Sequence, residues 1–389
     1  MKKYDVIIVG GGAAGLTCAV RLAENSKLNI LILEAGERVG KKLAATGNGQ
    51  GNVTNAEIGV GHYRSGNLTA VERIINSFDV LEVFGSTLFI TDERGRVYPS
   101  GRQASSLVDT LLRKILSLGV ELKLSAKVAN IKYTADRSFE IGLESGENFF
   151  AKHVVLATGG KAQKQFKTDG SAYQLAQNLG HKITPLYPSL VQLKTDTTYT
   201  KTLKGIRSEC KVCAIVGGQA VRTEVGDVIF TDYGVSGNAI FYISPAFSNC
   251  TGQLIIDLLP DFSAEQITEV IKKRVASGYN YADLLSGLVH NQIGRAVIKR
   301  AGDSSPVQKI VNILKNFTLE VTGTLGFDYA QVTHGGVDMR DISDNLESKL
   351  FKNLYFAGEI LDVDGDCGGY NLHWAFTSAN AVAQAILAL

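Results

Sequence analysis

Three glycines at fixed spacing, Gly10-x-Gly12-x-x-Gly15, lie between a β-branched run and a helical pattern, and Glu34 follows Gly15 by 19 residues. Gly10 permits a tight turn, Gly12 lets backbone approach a diphosphate, and Gly15 lets strand and helix pack closely. The helix start that follows offers N–H groups and the positive end of a dipole to phosphate, and Glu34 can accept from ribose hydroxyls. The chemistry implied is dinucleotide binding, with Ala13 and Ala14 in the same turn.

Further glycine-rich returns separate a flavin from a nicotinamide nucleotide. They are Gly40-Lys41-Lys42 with Thr46-Gly47-Asn48-Gly49, then Thr158-Gly159-Gly160, then Gly358-Glu359 with Gly368-Gly369-Tyr370-Asn371. An extended nucleotide held permanently needs such contacts from distant parts of the chain; a visiting nicotinamide does not. The pair Gly368-Gly369 before the last helix would turn backbone N–H groups toward the flavin N1/O2 edge, where negative charge appears on reduction.

The elements that must position these residues can be read from periodicity. Lys3–Val9 reads as a buried parallel strand, Ala13–Asn25 as an amphipathic helix and Leu28–Leu33 as the next strand, a βαβ unit. Helical patterns span 68–84 and 103–118, and β-like segments span 121–133 and 138–143. His153–Ala157 and Asn353–Ala357 read as later buried strands, and 371–387 as a closing helix. From Leu190 to Leu259 the sequence is strand-rich; from 261 to 317 it is helical in pattern. The expectation is an α/β fold: a discontinuous Rossmann-type FAD-binding domain over 1–188 and 327–389, an inserted β-rich substrate domain over 189–260 and 319–326, and a small helical subdomain over 261–318.

Composition narrows the class. Among 389 residues there are 41 Gly and 6 Pro, with no collagen-like period. With 40 basic and 38 acidic residues, the +2 charge gives no global field to gather nucleic acid or anionic lipid. Five Cys, an odd number, fit a reduced compartment, so a cytoplasmic location is expected. The uncharged stretches at 6–20 and 233–256 are too rich in Gly, or in Gly, Ser, Asn and Pro, to read as membrane spans.

The chain resembles the FAD-dependent flavoprotein family that includes the bile-acid 7-dehydroxylation reductase and enzymes described as aminoacetone oxidases, within the glutathione-reductase-like superfamily. The resemblance runs through Gly40-Lys41-Lys42-Leu43, Thr46-Gly47-Asn48-Gly49, Asn52-Val53-Thr54-Asn55, Gly95-Arg96-Val97-Tyr98-Pro99, Gly335-Gly336-Val337 and Gly368-Gly369-Tyr370-Asn371. It implies FAD contacts at Gly10, Gly12, Ala13, Ala14, Gly15, Glu34, Lys42, Thr46, Gly47, Asn48, Val128, Thr158, Gly159, Gly160, Gly358, Glu359, Gly369, Tyr370 and Asn371. The sequence departs from the family at Gln50-Gly51, usually Arg-Cys, at Asp232, usually His, and at Asn238, usually Pro. Any substrate role of those family side chains is vacant here.

Other residues bear on substrate chemistry. Tyr370, His373 and His334 are candidate proton donors near the flavin ring, and Arg102, Arg207 and Tyr233 are candidate substrate contacts. The alternating Asp362, Asp364 and Asp366 read as a solvated loop, not a metal site. Cys210-x-x-Cys213 reads as strand, with side chains on opposite faces. Cys367 lacks a partner at redox spacing. The basic helical residues Lys272, Lys273, Arg274, Arg295, Lys299 and Arg300 read as a solvated face. The expected function is FAD-dependent hydride transfer to or from a small organic substrate held between the nucleotide and inserted domains. With one nucleotide fingerprint, NAD(P)H acts as a transient donor to an enone-type reductase. The alternatives are an aminoketone oxidase producing peroxide and a flavin-binding docking or sensing protein.

Overall fold

A computed structural model describes residues 2–389, which divide into two compact units, 2–186 with 332–389, and 187–331. In the first, parallel strands Glu121–Lys123, Ile30–Leu33, Lys3–Val9 and Asn148–Leu156 lie side by side in that order. The β-branched and leucine side chains of the inner three are buried on both faces, as in a parallel sheet covered by helices.

The strand Asn148–Leu156 is shared. Its C-terminal half pairs in parallel with Leu354–Phe356, and its N-terminal half pairs antiparallel with Phe139–Leu143, which leads to Val128–Tyr133. The consequence is functional. The ends of Lys3–Val9, Ile30–Leu33, Asn148–Leu156 and Leu354–Phe356 deliver Gly10, Glu34, Thr158 and Gly358 to the carboxyl edge of one sheet, where open α/β sheets bind ligands.

The second unit is a closed barrel of six strands in the order Leu193–Thr195, Gly234–Ser236, Gln219–Phe230, Arg207–Val216, Gly252–Asp257 and Phe317–Thr324. Gly217 and Gly218, with φ of 58° and 80°, turn its long hairpin. Helices Ala264–Ala276, Asn291–Ala301 and Val307–Lys315 share one apolar core with the barrel. The strand-rich expectation for 190–259 needs one correction: Asn238–Ile243 is helical. Six residues in an uncharged stretch carry no helical periodicity, and the turn that starts them rests on Gly237 at φ 106°. Among the described residues no helix is long and apolar enough to cross a membrane.

Candidate flavin cradle and its buried charge chain

The first helix, Ala13–Asn25, starts after Gly12 with no side-chain cap, so its leading N–H groups keep no side-chain acceptor. A Cβ on Gly10 would lie 2.4 Å from the Ala157 carbonyl oxygen, and one on Gly15 1.9 Å from that of Gly10. At Gly12 a Cβ would meet nothing within 4 Å. Glu34 accepts from the N–H groups of Gly11 at 2.7 Å and Gly36 at 2.6 Å, which fixes its carboxylate beside the turn. Ala13 is half-buried and Ala14 buried. Val128 is also buried, at a register shift in its strand.

Thr158 and Gly159 are half-buried and Gly160 is buried. The Thr158 hydroxyl is a buried polar atom with no hydrogen-bond partner, as is the Asn52 side-chain oxygen Oδ1. Such atoms ordinarily find partners, so both fit a polar ligand that the chain itself does not supply. Thr46–Gly49 forms a short exposed loop with Gly47 and Asn48 in the left-handed region, and the Thr46 hydroxyl donates to Leu43 O at 2.7 Å. Lys42 Nζ lies 2.7 Å from Glu359 Oε2, while Glu359 Oε1 accepts from Thr333 N–H at 2.9 Å. Glu359 is thus a brace neutralised by Lys42.

The closing helix, Tyr370–Leu387, begins after Gly369 at φ 109°, again without a side-chain cap. A Cβ on Gly369 would strike Thr54 O at 2.3 Å. Asn371 pins the loop before it, accepting from Gly365 N–H and donating to Gly365 O, both at 2.8 Å. Farther along, Trp374 Nε1 donates to Gly358 O and Ser378 Oγ accepts from Gly358 N–H, so the helix also sets the Gly358 peptide.

His373 is corrected by its surroundings. It is 6% exposed, Nδ1 is 2.7 Å from the Thr54 hydroxyl and Nε2 is 2.8 Å from Ile75 O. Burial holds its pKa below the ordinary value, so it is a neutral core side chain, not a proton donor. The aspartate loop is corrected too. Asp364 is 1% exposed and Asp366 7%. Val363–Gly365 pairs with Tyr63–Ser65, setting Asp364 opposite Arg64. Arg64 donates to Asp364 Oδ2 at 2.9 Å and to Asp366 Oδ1 at 2.8 Å. His334 Nδ1 lies 2.6 Å from Asp364 Oδ1, and His62 Nδ1 lies 3.3 Å from Asp366 Oδ2. The His62 ring stacks on Tyr370 with centroids 4.2 Å apart.

Nothing in the sequence singled out His62 or Arg64, because their partners are about 300 residues away. Asn52 lies in the Asn52-Val53-Thr54-Asn55 segment, and its polar character in a glycine-rich loop is the available signal. Arg102, at φ 46°, stacks over Tyr98 at 4.8 Å and donates to Gln50 at 2.9 Å, beside the Thr46–Gly49 loop. Arg207 is on the barrel, ion-paired with Asp227 across the hairpin, and Tyr233 is in the turn before Gly234–Ser236. Asp232 pairs with Lys204 at 2.6 Å, and the Asn238 side chain accepts from Asp227 N–H at 2.6 Å. Cys210 is buried and Cys213 half-buried on the strand Arg207–Val216. Burial pushes the Cys210 thiol up to about 12 and the Cys367 thiol up to about 11, so neither is a ready thiolate. Among the described residues no cluster suited to a metal ion is found.

The profile of the HI0933-like protein Rossmann domain matches residues 4–385. The chain is 33% identical to the 3-dehydro-bile acid delta(4,6)-reductase of Clostridium scindens over 97% of this chain and 98% of that one. It is 30% identical to the ribosomal RNA dihydrouridine synthase of Haemophilus influenzae over 99% of each. Among solved structures it is similar to the 3-ketosteroid-delta4-(5alpha)-dehydrogenase of Rhodococcus jostii, with TM-score 0.53, 14% identity and coverage of 99% and 97%, a likeness of fold.

Proposed function

The chain belongs to the HI0933-like Rossmann-domain family of FAD-dependent oxidoreductases, and from that premise we propose that it saturates a carbon–carbon double bond conjugated to a carbonyl, with NAD(P)H as transient donor. The observation that supports this most is that two relatives matching the chain end to end are named for one kind of bond change. A bile-acid enone and the uracil ring both present a C=C conjugated to C=O.

In this reading Gly10, Gly12, Ala13, Ala14 and Gly15 hold the diphosphate against the bare helix start, and Glu34 takes the ribose. Lys42, Thr46, Gly47, Asn48, Val128, Thr158, Gly159 and Gly160 line the rest, with the Thr158 hydroxyl finding its missing partner there. Gly358, Glu359, Gly369, Tyr370 and Asn371 shape the flavin end, where the uncapped start of the closing helix favours negative charge. When bound, FAD supplies two-electron hydride chemistry. Tyr370 lies at that end, its hydroxyl 3.4 Å from His62 Nε2.

A second reading takes the double bond from a uridine within RNA. It is favoured by the Haemophilus relative and by Lys272, Lys273, Arg295 and Lys299, all exposed on the helices of the second unit. One experiment tests both. Under anaerobic conditions NADH or NADPH should bleach the visible flavin band of the holoprotein, and either a steroid enone or a uridine-containing RNA should restore it. Bleaching that neither acceptor reverses, or peroxide formed from an aminoketone in air, overturns the reductase reading.

A further inference from the structure

Two buried carboxylates, Asp364 and Asp366, share one guanidinium, that of Arg64, and a third, Asp362, lies two residues before them. His334 and His62 stand at the two ends of the resulting chain, with side chains 34% and 39% exposed, while Asp364 between them is fully buried. His334 is placed by its neighbour as well. The Thr333 hydroxyl accepts from the N–H groups of Lys161 and Ala162, and a Cβ on Gly160 would lie 2.5 Å from it, so the strand Val332–His334 is tied to the Gly160 loop at Thr333, while the next side chain, His334, turns from the other face to Asp364 in the segment leading into the closing helix.

We propose that His334 delivers the proton in the double-bond reduction and that Asp364 and Arg64 are its positioning residues. This rests on the reductase reading above. Saturating the bond requires a hydride at the carbon remote from the carbonyl and a proton at the adjacent one. FAD, when bound and reduced by NAD(P)H, would supply that hydride with its electron pair. The proton leaves His334 Nε2, the ring nitrogen opposite the one held by Asp364, and the neutral imidazole takes another from water. The groups acting on His334 are Asp364 and Asp362, which favour its charged form, and Arg64, which opposes it. The hydrogen bond to Asp364 is the largest influence and raises the His334 pKa above its ordinary value, against a smaller effect of burial.

The test uses the holoenzyme and the variants His334→Gln and Asp364→Asn. By NMR, His334 in the wild type is expected to titrate above an ordinary histidine and to fall back in Asp364→Asn. In stopped flow, His334→Gln is expected to keep its FAD but to slow acceptor-driven reoxidation of the flavin about 100-fold. The wild-type rate is expected to decline as His334 loses its proton at high pH, and the variant to lack that limb. His334→Gln is the decisive variant, since its site is partly exposed and a fold defect at buried Asp364 leaves it unaffected. Wild-type reoxidation rates in His334→Gln, with turnover intact, overturn the delivery role alone. Ordinary titration of His334 in the wild type overturns the positioning role of Asp364. Failure of the wild type to pass electrons to any conjugated acceptor overturns the reductase reading and the delivery role together.

Discussion

A methyl group added at Gly10 or Gly15 would collide with backbone carbonyl oxygen of the protein itself, whereas one added at Gly12 would stand in open space. Gly12 also has φ −84°, which any residue adopts. The chain therefore has its own reasons for the outer two glycines and none for the middle one, and the reason for Gly12 must lie in what approaches it. Gly12→Ala should leave the apoprotein at least as stable, by up to about 1 kcal/mol from the stiffened unfolded chain. The same variant should lose roughly tenfold or more in FAD affinity, about 1.4 kcal/mol. Gly15→Ala should instead cost about 1–3 kcal/mol of stability through overpacking. Urea unfolding of the apoproteins and flavin fluorescence titration measure the two effects. Unchanged FAD affinity in Gly12→Ala would remove the diphosphate from this turn.

The closing helix does more than cover the sheet. Its Asn371 side chain spans the loop at Gly365, and its Trp374 and Ser378 hold the carbonyl and the N–H of Gly358, so one element positions both of these glycine loops. Asn371→Ala removes the acceptor of Gly365 N–H and the donor to Gly365 O. A loss of about 1–3 kcal/mol in stability is expected, with weaker FAD retention on gel filtration. A variant that loses stability yet retains FAD as the wild type does would make the loop a fold feature only. The elements themselves were largely legible. Lys3–Val9 and Ala13–Asn25 have the observed bounds because a doubly buried strand and an amphipathic helix leave their mark in consecutive residues. Other features lie outside local pattern. The sequence shows three aspartates but not their burial, and a histidine in the first helical turn but not the Thr54 hydroxyl and Ile75 carbonyl that occupy both its nitrogens. The pairing that sets Arg64 opposite Asp364 joins segments 300 residues apart, and no spacing rule reaches that far.

Across the whole molecule, the histidines divide by sign and by unit. His153 is 3% exposed with Nδ1 unpartnered, and burial pushes its pKa down to about 4. His181 and His373 are lowered as well, each chiefly by burial. All three are neutral in the native state, while the unfolded chain takes up protons near the ordinary value of 6.5. The His153 contribution is therefore intact above that pH and is lost as pH falls from about 6.5 toward 4, and those of His181 and His373 are lost in the same direction. His334 works the other way. Its raised pKa gives a contribution present below 6.5 and lost as pH rises through the shifted value. These four residues belong to the first unit, and the second contains one histidine, His290, exposed at the start of Asn291–Ala301. Mild acid should accordingly loosen the nucleotide-binding unit ahead of the barrel, with FAD released before the barrel's β signal is lost. His153→Phe keeps a ring of similar shape in the strand and takes away the proton site. Between pH 6.5 and 4 its urea midpoint should fall less steeply than that of the wild type, the common titration of carboxylates cancelling in the comparison. Parallel midpoints across that window would show that His153 does not bind its proton on unfolding, and an acid transition that takes the barrel first would show that carboxylates, not buried histidines, set the order.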